Sequence, residues 1–97
     1  MKKLKQIQNI LASSKAELRK RYNVRELGIF GSYARGKQKR KSDIDVLVDF
    51  YNVPDLIKFI ELERRLQALL GKKVDLVRKQ SIREELKDSI LRELKIV

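Results

Sequence analysis

Cysteine and histidine are both absent from this 97-residue chain. Their absence excludes disulfides, thiolate or imidazole zinc sites, cysteine and serine–histidine nucleophile systems, and histidine general bases. Any metal must be a hard ion held by oxygen, which means magnesium or manganese before zinc. The lack of disulfides fits a cytoplasmic protein. No apolar run approaches the roughly 20 residues of a membrane span, so no membrane is expected among the partners. The basic start, MKKLKQIQNIL, is interrupted by Gln6, Gln8 and Asn9 with no small-residue cleavage site after it. It reads as a first helix and not as a secretion signal. Acidic side chains are scarce: 13 Asp and Glu stand against 24 Lys and Arg, a formal charge of +11. That excess implies an anionic partner, whether nucleotide, nucleic acid or acidic protein. A densely charged, solvated surface of the kind thermophiles carry is the other reading.

Apolar residues make up 42% of the chain, ordinary for a folded protein, and the length suits a single domain over residues 1–97 with one modest core. Leu4, Ile7, Leu11, Leu18 and Tyr22 recur at three- and four-residue spacing and predict an amphipathic helix over 3–21. Val24 to Phe30 reads as a first strand. Ser42 to Phe50 reads as a second, with Ile44, Val46, Val48 and Phe50 on one face and Asp43, Asp45, Leu47 and Asp49 on the other. The only proline, Pro54, falls at or near the first turn of a helix. That helix runs to about Leu70, turns Leu56, Phe59, Ile60, Leu66, Leu69 and Leu70 inward, and stops at Gly71. Lys72 to Val77 is the third strand, with Asp75 on the face opposite Val74 and Leu76. Ser81 and Glu84 form the pattern of a capping box opening a last helix, whose stripe Ile82, Leu86, Ile90 and Leu94 should face the core. Strands two and three, joined by a helix, should be parallel. Strands one and two should be antiparallel if the turn after Phe30 and the aspartates belong to one site. The expected fold is α+β: a small mixed sheet of about three strands with helices on one face and carboxylates on the open one.

The segment from Gly28 to Asp49, GIFGSYARGKQKRKSDIDVLVD, carries the chemistry. Asp43 and Asp45 alternate with apolar residues, so they share a strand face about 7 Å apart. Strands are depleted in Asp, and two like charges side by side repel unless a cation lies between them. Asp75, on the next strand, could complete the cluster. Three carboxylates suit two magnesium ions about 3.5–4 Å apart, one activating an attacking oxygen and one neutralising a triphosphate. Asp45 would bridge both ions, Asp43 would complete the nucleotide-side ion, and Asp75 would serve the nucleophile side. Without histidine, Asp75 is also the best candidate to help deprotonate an attacking hydroxyl. With no metal, clustering should raise at least one carboxyl pKa. Ahead of this pair, Gly31 and Ser32 form a turn whose N–H groups and hydroxyl can approach a phosphate closely. Arg35, one turn on, can supply charge to a phosphate oxygen. Asp49, about 13 Å from Asp45 along the strand, is expected at the surface or in a turn. Lys37, Lys39, Arg40 and Lys41 could grip a triphosphate tail, a nucleic acid or an acidic partner, or form a solvated loop. Tyr33 is expected to pack against the fold, with a place beside a nucleobase as the alternative.

In Gly31-Ser32, Asp43-Ile44-Asp45 and Asp75 the sequence resembles the DNA polymerase beta-type nucleotidyltransferase superfamily. GSYARGKQKRKSDIDVLV is similar to its small stand-alone members, the minimal nucleotidyltransferases or MNT domains, and the likeness spans roughly residues 24–77. The resemblance implies a palm-like nucleotidyltransferase fold and transfer of a nucleoside monophosphate, usually AMP from ATP, to a hydroxyl acceptor. It implies that Gly31, Ser32 and Arg35 hold the triphosphate and that Asp43, Asp45 and Asp75 hold magnesium. Small members of this kind commonly pair with a helical HEPN toxin and act as antitoxins, some by adenylylating a toxin tyrosine. Two other functions compete with this one. The first is a binding module that sequesters a toxin or binds RNA through its basic surface; the second is a metal-dependent nuclease, against which the Gly-Ser element argues.

Overall fold

The computed structural model describes residues 2–97. Helix α1 (Leu4–Tyr22) leads into strand β1 (Val24–Phe30), the short helix α2 (Gly31–Arg35) and strand β2 (Ile44–Phe50). Helix α3 (Leu56–Leu70), strand β3 (Val74–Arg78), a single 3₁₀ turn over Lys79–Ser81, helix α4 (Glu84–Glu93) and strand β4 (Lys95–Ile96) follow. The sheet order is β3-β2-β1-β4. β1 runs antiparallel to β2, and β2 parallel to β3. The mixed sheet and both strand directions match the sequence reading. The fourth strand does not: the reading gave about three strands, and two residues are too short a run to show alternation. β4 pairs antiparallel with β1 at Gly28 and Ile29.

The core lies between the sheet and the pair α1 and α3. Leu27, Ile29, Ile44, Val46 and Val48 from the sheet meet Ile7, Leu11 and Leu18 from α1 and Leu62, Leu66 and Leu70 from α3. Each such side chain contributes about 1.5–3 kcal/mol on burial. Tyr33, from α2, joins this cluster with 1% of its surface exposed, so the packing expectation for it holds. Asn23 ends α1 and Gly71 ends α3, both left-handed at φ 59° and 64°.

Several local expectations are corrected. β2 begins at Ile44 and not at Ser42, because Ser42 belongs to a turn: its hydroxyl accepts from Lys39 N–H at 2.8 Å and its own N–H donates to Lys39 O. Asp43 therefore sits just before the strand. α3 is capped by Asp55, whose carboxylate accepts from Lys58 N–H at 2.8 Å, so Pro54 precedes the cap. The buried stripe of α3 is Leu62, Leu66 and Leu70, flanked by half-buried Phe59 and Leu69. Leu56 and Ile60, expected inward, are exposed at 72% and 40%: Leu56 opens the helix before its buried stripe begins, and Ile60 lies about 160° around the helix from Leu62.

The capping box at Ser81 does not form, since the Ser81 hydroxyl accepts instead from Arg78 Nε at 3.2 Å. α4 starts after Arg83, with Glu84 and Glu85 placing negative charge at its positive end. Its apolar stripe is not buried; Leu86 is 49% exposed. α4 also departs from the one-sided helix arrangement. Leu94, at its end, covers the spot where a Gly28 Cβ would point, on the sheet face opposite Leu27 and Ile29.

Asp49 is corrected too. It is 8% exposed, accepts from Gln80 Nε2 at 2.9 Å and from Phe50 N–H at 3.1 Å, and lies 3.7 Å from Arg25 Nε. It ties β2 to the 3₁₀ turn and has a structural place of its own.

Candidate active site

Antiparallel β1 ends where β2 begins, and parallel β3 begins at that same end. This topology alone gathers the predicted residues. Asp45 is paired with Phe30 of β1 on one side and with Asp75 of β3 on the other. Asp43 lies two residues back, and Gly31 and Ser32 follow Phe30 directly. The Asp45 carboxylate reaches toward the turn. Its Oδ2 occupies the position that a Cβ on Gly31 would take, and Gly31 has a φ of +72°. Glycine is required there on both counts.

The electrostatics match a carboxylate cluster. The Asp45 carboxyl is pushed up from 3.8 to about 6, chiefly by desolvation, then by the charges of Asp75 and Asp43. Arg35 opposes the rise and Glu93 adds to it. The elevated carboxyl expected of a metal-free cluster is thus found at the central residue. Asp75 is exposed, whereas Asp43 and Asp45 are half-buried. Burial, and secondarily the charge of Asp43, raises the Tyr33 hydroxyl.

Among the described residues, no three acidic side chains close into a ready-made metal cage. The donor set nevertheless fits a hard divalent cation in kind. It offers only carboxylate oxygens, and their mutual repulsion, felt most at Asp45, is what a cation would relieve.

The turn is held from an unexpected quarter. Gly31 N–H donates to Glu93 Oε1 at 2.9 Å, and Arg35 Nη1 donates to Glu93 Oε2 at 2.8 Å. Nothing in the sequence signals this: Glu93 lies 62 residues from Gly31, in a helix whose own stripe gave no hint of the site. Ser32 is half-buried, and its carbonyl accepts from Lys37 N–H at 2.9 Å, closing the turn that Gly36 ends at φ 70°. Lys37, Lys39, Arg40 and Lys41 are exposed along the connection to β2. Lys72 Nζ donates to Arg40 O at 2.6 Å and ties that connection to the start of β3.

Carboxylates at one end of a mixed sheet, beside a glycine-led turn with a cation one turn on, define a phosphoryl-handling enzyme of the nucleotidyltransferase class. Residues 11–97 match the model of the nucleotidyltransferase domain, and the chain belongs to that family as one of its minimal, polymerase beta-like members. It is 54% identical over 91 residues to the protein adenylyltransferase MntA of Thermococcus cleftensis, covering 94% of this chain and 92% of that protein. Among solved structures it is similar to a toxin–antitoxin complex with AMP-PNP (TM-score 0.75, 31% identity, 92% of this chain and 70% of that one). It is also similar to a chain in the complex of a tri-AMPylated Shewanella oneidensis HEPN toxin with its MNT antitoxin (TM-score 0.67, 26% identity, 93% and 70%).

Proposed function

We propose that this nucleotidyltransferase moves AMP from ATP to a hydroxyl of a partner protein, most simply a tyrosine of a small helical HEPN-type toxin, and so acts as its antitoxin. The observation that carries the proposal is the register placing Asp45 beside Asp75 at the sheet end where the Gly31-Ser32 turn begins. The acceptor oxygen forms a bond to the α-phosphorus of ATP, the bond from that phosphorus to the α–β bridging oxygen breaks, and pyrophosphate leaves. The hydroxyl proton passes to a base, for which exposed Asp75 is the accessible carboxylate. Ser32 and Arg35 hold the triphosphate, and Gly31, whose own N–H is taken by Glu93, shapes the turn that presents them. Asp43, Asp45 and Asp75 hold magnesium, with manganese as an alternative; the ion, when bound, neutralises phosphate charge and orients the reacting oxygens.

A protein partner would have apolar surface to dock on, away from the reacting groups. Tyr51, Val53, Leu56, Ile57 and Ile60 are all at least 40% exposed. They form apolar surface at the opposite end of the sheet from the carboxylates, as a protein partner would use. The relatives found in toxin complexes support the same partner. RNA draws no support from those relatives. The test is transfer of label from the α-phosphate of ATP to the cognate toxin in magnesium. Wild type should transfer, and Asp43→Asn with Asp45→Asn should not. Equal transfer by the double variant would remove the assignment.

A further inference from the structure

One carboxylate spans both ends of the turn that the proposed function assigns to the triphosphate. α2 has five residues, from Gly31 to Arg35. Glu93 accepts from the N–H of its first residue with one oxygen and from the guanidinium of its last with the other. We infer that Glu93 is a positioning residue for nucleotide binding: it braces the Gly31–Arg35 turn and aims the Arg35 guanidinium, without itself touching the nucleotide. The inference rests on the reading of this turn as the triphosphate site.

The chemistry favours bracing over occupation. A guanidinium carries five N–H donors, and Glu93 engages only Nη1, so the remaining donors stay available to phosphate oxygens. A long arginine left free must be ordered when the ligand arrives; one already held by a carboxylate has met that cost on folding. Burial tends to raise the Glu93 carboxyl, yet Arg35 and the Gly31 N–H outweigh it and keep the group below the usual carboxylate value. The brace is therefore charged at neutral pH.

Glu93 is not what anchors the C-terminal segment. Val97 N–H donates to Leu27 O at 2.9 Å, Lys15 Nζ donates to Val97 O at 3.0 Å, and β4 pairs with β1. Glu93→Gln should consequently fold, while its amide removes the charge and sets an NH2 against one of the two donors, the Gly31 N–H or Arg35.

The experiment is calorimetric titration of wild type, Glu93→Gln, Glu93→Asp, Arg35→Ala and the Arg35→Ala/Glu93→Gln pair. The probe is magnesium plus an ATP analogue bearing a methylene between its α- and β-phosphates, and thermal melts run alongside. At metal sites, removing the outer partner that orients a ligating side chain typically costs about 10-fold or more, and an oriented guanidinium is expected to follow the same scale. Glu93→Gln should weaken binding about 10-fold, and Glu93→Asp should recover part of the loss. The melting temperature should drop modestly, since two hydrogen bonds to a charged group are weakened, while the protein stays folded at the titration temperature. Adding Glu93→Gln to Arg35→Ala should cost clearly less than Glu93→Gln costs alone, because the part of the brace exerted through Arg35 is already lost and only the Gly31 bond remains. In turnover, KM for ATP should rise by the same factor with kcat nearly constant. Unchanged binding by Glu93→Gln overturns the inference while leaving the enzyme intact. Tighter binding also overturns it, since it would make Glu93 a competitor for the phosphate position. No binding by wild type would remove the nucleotide reading and this inference with it.

Discussion

Replacing Asp45 with Asn should make the protein more stable at neutral pH while removing its activity. Asp45 is held at about 6 against an ordinary 3.8, by desolvation first and then by Asp75 and Asp43. The folded state therefore binds the Asp45 proton more readily than the unfolded state does. Between pH 4 and pH 6 the native carboxyl is still protonated while the unfolded one has ionised, so stability falls as pH rises through that window. At about 1.4 kcal/mol per pH unit, the full displacement corresponds to about 3 kcal/mol. Asp45 is only half-buried, and solvent screening reduces the expected effect to about 1 kcal/mol. Asparagine has nearly the same shape and no charge, so Asp45→Asn should escape this loss. Urea denaturation from pH 4.5 to pH 8 measures the difference for Asp45 together with the carboxylates coupled to it, since groups that do not face Asp45 titrate alike in both proteins and cancel. The variant should exceed wild type by about 1 kcal/mol at pH 8, and the gap should close on acidification. Millimolar magnesium should restore stability to wild type and do less for the variant. A variant no more stable than wild type at pH 8, or a gap indifferent to pH, would refute the claim that repulsion and burial strain Asp45.

Gly31→Ala should lower stability by about 1–3 kcal/mol and abolish nucleotide binding, because a left-handed φ and the Asp45 carboxylate both oppose a Cβ; denaturation and calorimetry report the two effects. Asp49→Ala should cost about 1–3 kcal/mol by removing the acceptor for Gln80 and Phe50 N–H, with transfer activity per folded molecule unchanged. Leu56→Ser with Ile57→Ser should change stability by less than about 0.5 kcal/mol, since both side chains are 72% exposed. The same pair should weaken toxin capture in a pull-down at fixed concentration, while nucleotide binding stays at the wild-type level.

The parts of the site that could be read in the sequence were those encoded over short spans. Gly31-Ser32 and Asp43-Ile44-Asp45 lie within one turn and one strand start, so turn chemistry and period-two alternation set them at one end of the sheet, although the strand begins at Ile44 and Asp43 precedes it. The parallel partner of β2 followed from the helix joining it to β3. Asp75 could be set on a strand by its apolar neighbours, but its pairing with Asp45 is a register, fixed only when Ile44 meets Val74. Glu93 and Asp49 were illegible for a related reason. A carboxylate's role depends on what tertiary packing brings to it, and the partners of these two, Arg35 and Gln80, lie 58 and 31 residues away. Leu56 falls near the period of the buried stripe but opens the helix before that stripe begins, and Ile60 lies about 160° around the helix from Leu62, off the stripe altogether. Ser81 fits a capping box, yet its hydroxyl bonds Arg78 one turn too early.

We propose above all that Asp43, Asp45 and Asp75 act together on a nucleotide held at the Gly31-Ser32 turn. The most direct measurement incubates the protein and its cognate toxin with magnesium and ATP labelled at the α-phosphate, then repeats this for Asn at each of the three positions. Label should appear on a toxin tyrosine with wild type alone, and chelation should abolish it. Label transferred undiminished by the Asp75→Asn protein, or by wild type in excess chelator, would contradict the claim.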